Sequence, residues 1–398
     1  MHILSYALRW TLLWCLALGL GVSCTDDYMP DVVESPPNFL VIDGFINTQG
    51  VTTIRLSRTY AIRSTQVPPA ETRATVYIEE ESGPRYLLQE TPARSGTYTS
   101  ANLTLNIARK YRLHLTTTTN GEYASAYVPV KVTPPIDALT WRPTGNGLNV
   151  SVSAHDDTGS TQYYRWETED TWEIKSPYYP TVEYVNNDIR PIAVPFPTVC
   201  YGIERAGFVQ LYKTTALTQD VVADFRVRQL ATTSERLFTR YSILVRQHAL
   251  TAEEYAYWEL LRKNTENIGS LFDPQPAQLT GNVRCLSNPD DLVLGFIGAH
   301  SIEEKRLFIS RAELPGSWPV VSGYEKCVPP DTVFIPQRGL EPSPPRATIL
   351  AAFFTPGGVN VPISEARTRN GPVGYLFKTR DCVDCRTRGT SIKPTFWP

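Results

Sequence analysis

The 398-residue sequence predicts a mainly β protein, in which an N-terminal immunoglobulin-like β-sandwich precedes a second β-rich domain carrying one clear α-helix. Three observations lead to that fold class. Pro supplies 32 residues, roughly 8% against a usual ~5%, and favours rigid turns over long helices. Short runs rich in β-branched and aromatic residues recur between turn residues. Sustained helical spacing is confined to one segment. At 42% hydrophobic and 20% charged, the composition excludes a wholly disordered chain, a coiled coil and a polytopic membrane protein. A formal net charge of −2 argues against nucleic acid as the main partner.

Residues 1–23 have the form of a secretory signal peptide: one basic residue, Arg9, then the thirteen-residue, largely apolar run Trp10 to Val22, then small residues. The run is shorter than the ~20 apolar residues of a transmembrane helix. Gly21-Val22-Ser23-Cys24 resembles a bacterial lipobox, in which the Cys thiol takes fatty-acyl (palmitate-type) chains and the leader is cut before it. Leu20 sits one position too early for a full match. The resemblance makes Cys24 the lipidation site and the membrane a partner; the alternative is ordinary secretion with a coincidental Cys. Residues 24–38 are then the lipidated Cys and a flexible tether. Thr25-Asp26-Asp27 resembles the surface-export signal of Bacteroidota lipoproteins, the alternative being a solvated acidic linker.

Residues 39–133 form the expected sandwich. Strands are predicted at Phe39–Ile46, Thr53–Arg58, Thr75–Glu79, Tyr86–Gln89, Tyr98–Ser100, Tyr111–Leu115 and Tyr123–Val128. In Tyr111-Arg112-Leu113-His114-Leu115 apolar residues alternate with charged ones, the period of a half-buried strand. Asn120-Gly121 suits a type I′ turn before the last strand. The Cys…Trp…Cys spacing of true immunoglobulin domains is missing, so only the architecture is implied.

Thr133-Pro134-Pro135 is a stiff boundary, and residues 138–398 make the second domain. Leu148, Val150 and Val152 alternate with polar residues. Tyr164, Trp166, Trp172 and Ile174 share one parity; Arg165, Glu167, Glu169, Glu173 and Lys175 share the other, which predicts one buried and one charged face. Leu237, Tyr241, Ile243 and Val245 repeat the pattern. The helix is predicted near 252–266: Thr251 and Glu254 form a capping box, and Tyr255, Trp258 and Leu261 make its apolar stripe. Asn267 and Gly269 close it before Asp273-Pro274-Gln275-Pro276. Strands are expected again at Leu292–Ile297 and Arg306–Ser310, and irregular chain from Leu314 to Pro345.

Five cysteines follow Cys24: Cys200, Cys285, Cys327, Cys382 and Cys385. Outside the inner membrane they can oxidise, and all five are disulfide candidates. Cys382-Val383-Asp384-Cys385 also has the spacing of a redox or zinc pair, with Cys327 or His300 as further ligands. The adopted pairing joins Cys327 to Cys382 or Cys385. Of the histidines, His114 falls on the polar side of its strand and is read as solvent-exposed. His155-Asp156-Asp157 offers oxygen ligands to a cation, or a turn before Thr158-Gly159, and the turn is favoured. No metal, cofactor or catalytic residue is assigned, since no H-E-x-x-H, G-x-S-x-G, P-loop or G-x-G-x-x-G occurs.

Aromatics crowd residues 163–184. Trp166 and Trp172 read as core, whereas Tyr178 and Tyr179, flanked by Pro177 and Pro180, are the binding candidates for a glycan, a peptide or a protein surface. Asp331-Thr332-Val333 resembles a short Bacteroidota O-glycosylation acceptor, with Thr332 modified.

An ordered set of segments resembles one family of Bacteroidota lipoproteins, catalogued as domain of unknown function 4249. The set comprises Leu40-Val41-Ile42-Asp43-Gly44-Phe45, Arg55-Leu56-Ser57-Arg58-Thr59, Glu169-Asp170-Thr171-Trp172-Glu173 and Tyr257-Trp258-Glu259-Leu260-Leu261. Phe272-Asp273-Pro274-Gln275-Pro276 with Gly281-Asn282, Cys382-Val383-Asp384-Cys385-Arg386 and the terminal Phe396-Trp397 complete it. The resemblance implies an outer-membrane-anchored protein of a kind often encoded beside a TonB-dependent transporter, and the Thr25-Asp26-Asp27 signal adds the expectation of cell-surface exposure. It carries no catalytic residue over. The expected function is a non-enzymatic ligand-capture or accessory partner of such a transporter. An envelope glycan or peptide hydrolase and a surface adhesin or structural module are the alternatives.

Cys24→Ser is expected to release the protein from the membrane fraction and abolish fatty-acid labelling, because one acyl chain alone anchors only marginally. Unchanged membrane association of an unlabelled wild type overturns the expectation.

Overall fold

Tyr111, Leu113 and Leu115 are buried while Arg112 and His114 are not, as period-two alternation requires. The same alternation recurs at Ile54 and Leu56 and at Leu148, Val150 and Val152 in the computed structural model, which describes residues 38–60, 67–266, 279–335 and 344–398. The signal peptide, Cys24, the tether, Asn267, Gly269 and Phe272–Pro276 lie outside the described residues.

The N-terminal body holds β1 (Leu40–Asn47), β2 (Gln49–Arg58), β3 (Thr75–Glu80), β4 (Arg85–Glu90), β5 (Thr97–Thr104), β6 (Lys110–Thr116), β7 (Glu122–Ser125) and β8 (Val128–Pro129). These pair antiparallel in the order β7-β6-β3-β4-β5-β2-β1, with β8 beside β6. Leu40, Ile54, Leu56, Val76, Ile78 and Tyr98 are fully buried between the folded halves of that path. The Asn120-Gly121 turn differs from the type I′ expectation. Asn120 takes a positive φ of 62° and Gly121 does not, and Asn120 N–H donates to Thr117 O at 3.0 Å. That geometry is a longer loop ending on one left-handed residue.

The second body contains β9 (Ile136–Thr144), β10 (Gly147–His155), β11 (Tyr163–Ile174), β12 (Val182–Val185), β13 (Asp188–Pro191), β14 (Cys200–Arg205), β15 (Gln210–Lys213), β16 (Val221–Leu230) and β17 (Arg240–Ala249). Helix α1 (Ala252–Glu266) follows, and Glu254 N–H donates to Thr251 Oγ1 at 3.1 Å, the capping contact expected. The chain next makes β18 (Val283–Cys285), β19 (Val293–Leu294), β20 (Ala299–His300) and β21 (Ile302–Ser310). Sheet β16-β10-β9 faces sheet β14-β11-β17-β21, with β15 also on β11. Leu148, Val150, Val152, Tyr164, Trp166, Tyr241, Ile243 and Val245 fill the space between them.

Strands β18, β19 and β20 return to the N-terminal body. β18 pairs β7, while β19 and β20 both pair β1 in parallel. Expected strand Leu292–Ile297 is thus only two residues long, and the body begun at residue 39 is completed near residue 300. Gly281 and Asn282 place the return. A Cβ on Gly281 would lie 1.6 Å from Gly295 O, and Asn282 clasps Ile297 through both backbone groups at 2.8 and 2.9 Å.

The remainder forms β22 (Asp331–Phe334), α2 (Arg346–Phe353), β23 (Asn360–Thr368), β24 (Gly371–Thr379) and α3 (Arg380–Val383). Hairpin β12-β13 packs against this small sheet through Tyr184, which joins Phe354 and Phe377. Strand β22 lies within a stretch expected to be irregular. Cys327–Cys382 and Cys200–Cys385 are bonded, at sequence separations of 55 and 185, and Cys285 is a buried free thiol. The first bond is one of the two pairings adopted for Cys327. Neighbouring Cys382 and Cys385 go to different partners, so they form neither a redox pair nor half of a zinc site.

Replacing Cys327 and Cys382 by Ser is expected to lower stability by about 4 kcal/mol, from the entropy of the 55-residue loop they close. Urea unfolding against wild type measures it; an unchanged midpoint under oxidising conditions refutes the linkage.

Candidate functional site

A cleft of about 570 Å³ opens at one end of the three-stranded sheet. Strand β9 supplies Asp137, the end of β10 supplies His155, and the following turn supplies Asp156, Asp157 and Thr158. Thr214 and Asp220 complete the polar wall from the segment entering β16.

Three of the four carboxylates, Asp137, Asp156 and Asp220, already have hydrogen-bond partners, while Asp157 is exposed. Asp156 accepts the N–H and hydroxyl of Thr158 at 2.9 and 2.6 Å, the hydroxyl of Ser160 at 2.9 Å and the N–H of Thr161 at 2.8 Å. Burial would push its pKa up, but these donors hold it well below the usual carboxylate range. His155-Asp156-Asp157 is therefore the start of a side-chain-closed turn, the favoured reading of that tripeptide. Asp220 is buried and accepts the hydroxyls of Tyr164 at 2.9 Å and Thr214 at 2.6 Å. Its burial outweighs those bonds, and its pKa is raised. His155 Nδ1 lies 2.7 Å from Asp137 Oδ2, and that hydrogen bond, with the nearby Asp157 charge, raises the imidazole pKa. Among the described residues no group of three or more His, Cys, Asp or Glu is placed to hold a metal ion. The cleft can recognise hydroxyl, amide or ammonium donors. For acid–base work it offers Asp220 held up, Asp156 held down and the His155 imidazole, also held up.

The other residues singled out lie elsewhere. Tyr178, expected exposed, is half-buried; its hydroxyl donates to Cys327 O at 2.7 Å, so it braces the disulfide. Tyr179 is 59% exposed. Trp166 and Trp172 are core, and Trp166 Nε1 donates to Gln247 Oε1 at 2.9 Å. Thr332 lies half-buried on edge strand β22, beside Asp331 paired with Lys378. His114, expected in solvent, is bound between Glu79 at 2.7 Å and Glu122 at 2.8 Å. Glu79 is itself buried; burial pushes its pKa up, but bonds from His114 and Arg112 win and lower it. His300 is fully buried, stacked on Phe45 at 4.2 Å and 5.1 Å from the ring of His248. The charged parity of β11 also differs from expectation, for Arg165 and Glu169 are buried. Helix α1 covers Arg165 with Trp258, and Trp397 Nε1 donates to Glu173 Oε1 at 3.0 Å.

Sequence reasoning missed Asp220 and Asp170. Asp170 shares the parity of Trp166 and Trp172, so a charge on the apolar face was the available signal.

The family described as "Domain of unknown function (DUF4249)" matches residues 25–306. No curated protein matches the chain. Chitinase ChiA74 from Bacillus thuringiensis is 12% identical with a TM-score of 0.14, over 46% of this chain and 30% of the chitinase. That likeness carries no argument about fold or activity.

Because the His155 pKa is raised, its pairing with Asp137 contributes below the ordinary imidazole range and is lost as pH rises through the raised value. Asp137→Asn is expected to move the His155 midpoint down in an NMR titration. An unmoved midpoint refutes the assignment of its cause.

Proposed function

We propose, for a chain that belongs to the DUF4249 family, a lipid-anchored, non-enzymatic envelope protein that captures a ligand beside a TonB-dependent outer-membrane transporter. The reading assigns the N-terminal body the role of an immunoglobulin-like spacer between the anchor at Cys24 and the body that carries the cleft. Its support is the state of the cleft: Asp156 is saturated by four intramolecular donors, which suits a rigid recognition surface more than proton transfer. Anchoring confines the protein near its partner, so a weak contact suffices. Tyr179 is the exposed aromatic offered to that contact.

One observation favours a hydrolase as the second reading. Asp220 and Asp156 are neighbouring carboxyl groups whose pKa values are driven apart, the arrangement of an acid and its base. Both readings meet in one experiment on detergent-solubilised native envelope. Capture should bring down one dominant outer-membrane β-barrel in near-equal amount, and Tyr179→Ala should reduce it several-fold. Recovery of the lipoprotein alone, together with glycan or peptide cleavage abolished by Asp220→Asn, would replace the capture reading with the hydrolase.

A further inference from the structure

A second, smaller cleft of about 210 Å³ lies where β11, β17, the β14–β15 turn and α1 meet. Its charge and its hydrogen bonding are both incomplete, and in the same sense. Arg165 Nε, Thr168 Oγ1 and Trp258 Nε1 all belong to residues that line it, and each is buried without a hydrogen-bond partner among the described residues. Arg165 is 7% exposed and Thr168 only 2%. A buried donor lacking an acceptor is costly and uncommon, so three around one small cleft call for a common acceptor.

The ion pairs point the same way. Arg165 pairs with Glu167 at 2.6 Å, Arg205 with Glu169 at 3.0 Å, and Arg246 with Glu304 at 2.7 Å. Of these six residues only Glu167 brings a carboxylate to the lining itself, against the three lining guanidinium groups of Arg165, Arg205 and Arg246, so the wall of the cleft is positively charged. Apolar surface completes the site. The Trp258 ring lies 4.4 Å from the Arg165 guanidinium carbon, and Phe208, 44% exposed, forms the opposite lip. A Cβ on Gly207 beside it would meet nothing within 4 Å, so the lip borders open space there.

We infer that this cleft binds a small carboxylate carrying a flat apolar group. The carboxylate oxygens take the orphan donors and the surplus charge, and the apolar group lies against Trp258 and Phe208. The site is separate from the acidic cleft and independent of any transporter.

Phenylacetate and its neutral counterpart phenylacetamide are the probes, titrated into the full chain in detergent by calorimetry and by NMR of the Trp258 indole N–H. Phenylacetate should bind saturably, move that resonance, and bind at least tenfold tighter than the amide. Trp258→Phe, which keeps an aromatic wall but removes the donor, should weaken it about tenfold. Arg205→Gln, at a side chain 72% exposed, should weaken it several-fold while the unfolding midpoint, measured alongside, stays close to wild type because Arg246 and Arg306 also face Glu169. Equal binding of acid and amide, or saturation by phenylacetate with the Trp258 resonance unmoved, would overturn the inference. So would no binding at millimolar phenylacetate.

Discussion

Asp170 carries a negative charge into the contact between the two facing sheets of the second body, and much of that body is arranged to answer it. The residue is 2% exposed on the face of β11 that also bears Trp166 and Trp172. A lone charge there would be prohibitive, so it must be paired and hydrogen-bonded. Arg228 reaches it from β16 of the opposite sheet, Arg236 from the loop before β17, and the Tyr241 hydroxyl donates at 2.7 Å. Burial, then Asp170, pushes the Tyr241 pKa far up, so the hydroxyl keeps its proton and donates it to Asp170. Burial opposes the Arg228 cation, but Asp170 and Tyr241 together outweigh it and raise its pKa. Arg236 also lies over the Trp172 ring at 4.6 Å and bridges to Glu204. One carboxylate therefore fixes the spacing of two sheets that apolar packing alone would let slide.

The same logic covers the outer face of β11. Its alternating charges are lidded by Arg205, Arg246 and Arg306, by α1, and by the C-terminal Phe396-Trp397. Arg306 lies 3.4 Å over the Phe396 ring, and Trp397 meets Tyr201 and Phe308 edge-on. The disulfides hold the preceding segment in the core, so the tail is a structural layer of this body.

What the sequence revealed was local. Period-two runs such as Leu148-Val150-Val152 and Tyr111-Leu113-Leu115 carry their burial in their own spacing, and the Thr251–Glu254 cap marks α1 within a few residues. The turn at Asp156 was legible because Thr158, Ser160 and Thr161 stand within reach of its side chain along the chain itself. Tyr178 and His114 misled for one reason: what covers them comes from afar, Cys327 in one case and Glu79 in the other. The acidic cleft likewise depends on Asp137, Asp156 and Asp220, which three separate segments bring together. The two-residue strands β19 and β20 have no periodicity to detect, since their partner β1 defines them.

Those returning strands also impose an order in time. Val293 pairs with Leu40, so the partner of β1 is made 253 residues after β1 itself. At ~5–20 residues per second, the ribosome needs roughly 10–50 s to deliver it. Through that interval the first body exists as an open sheet, its parallel edge bare to any other extended chain. A polypeptide truncated before residue 300 would carry a permanently sticky strand instead of merely lacking a domain.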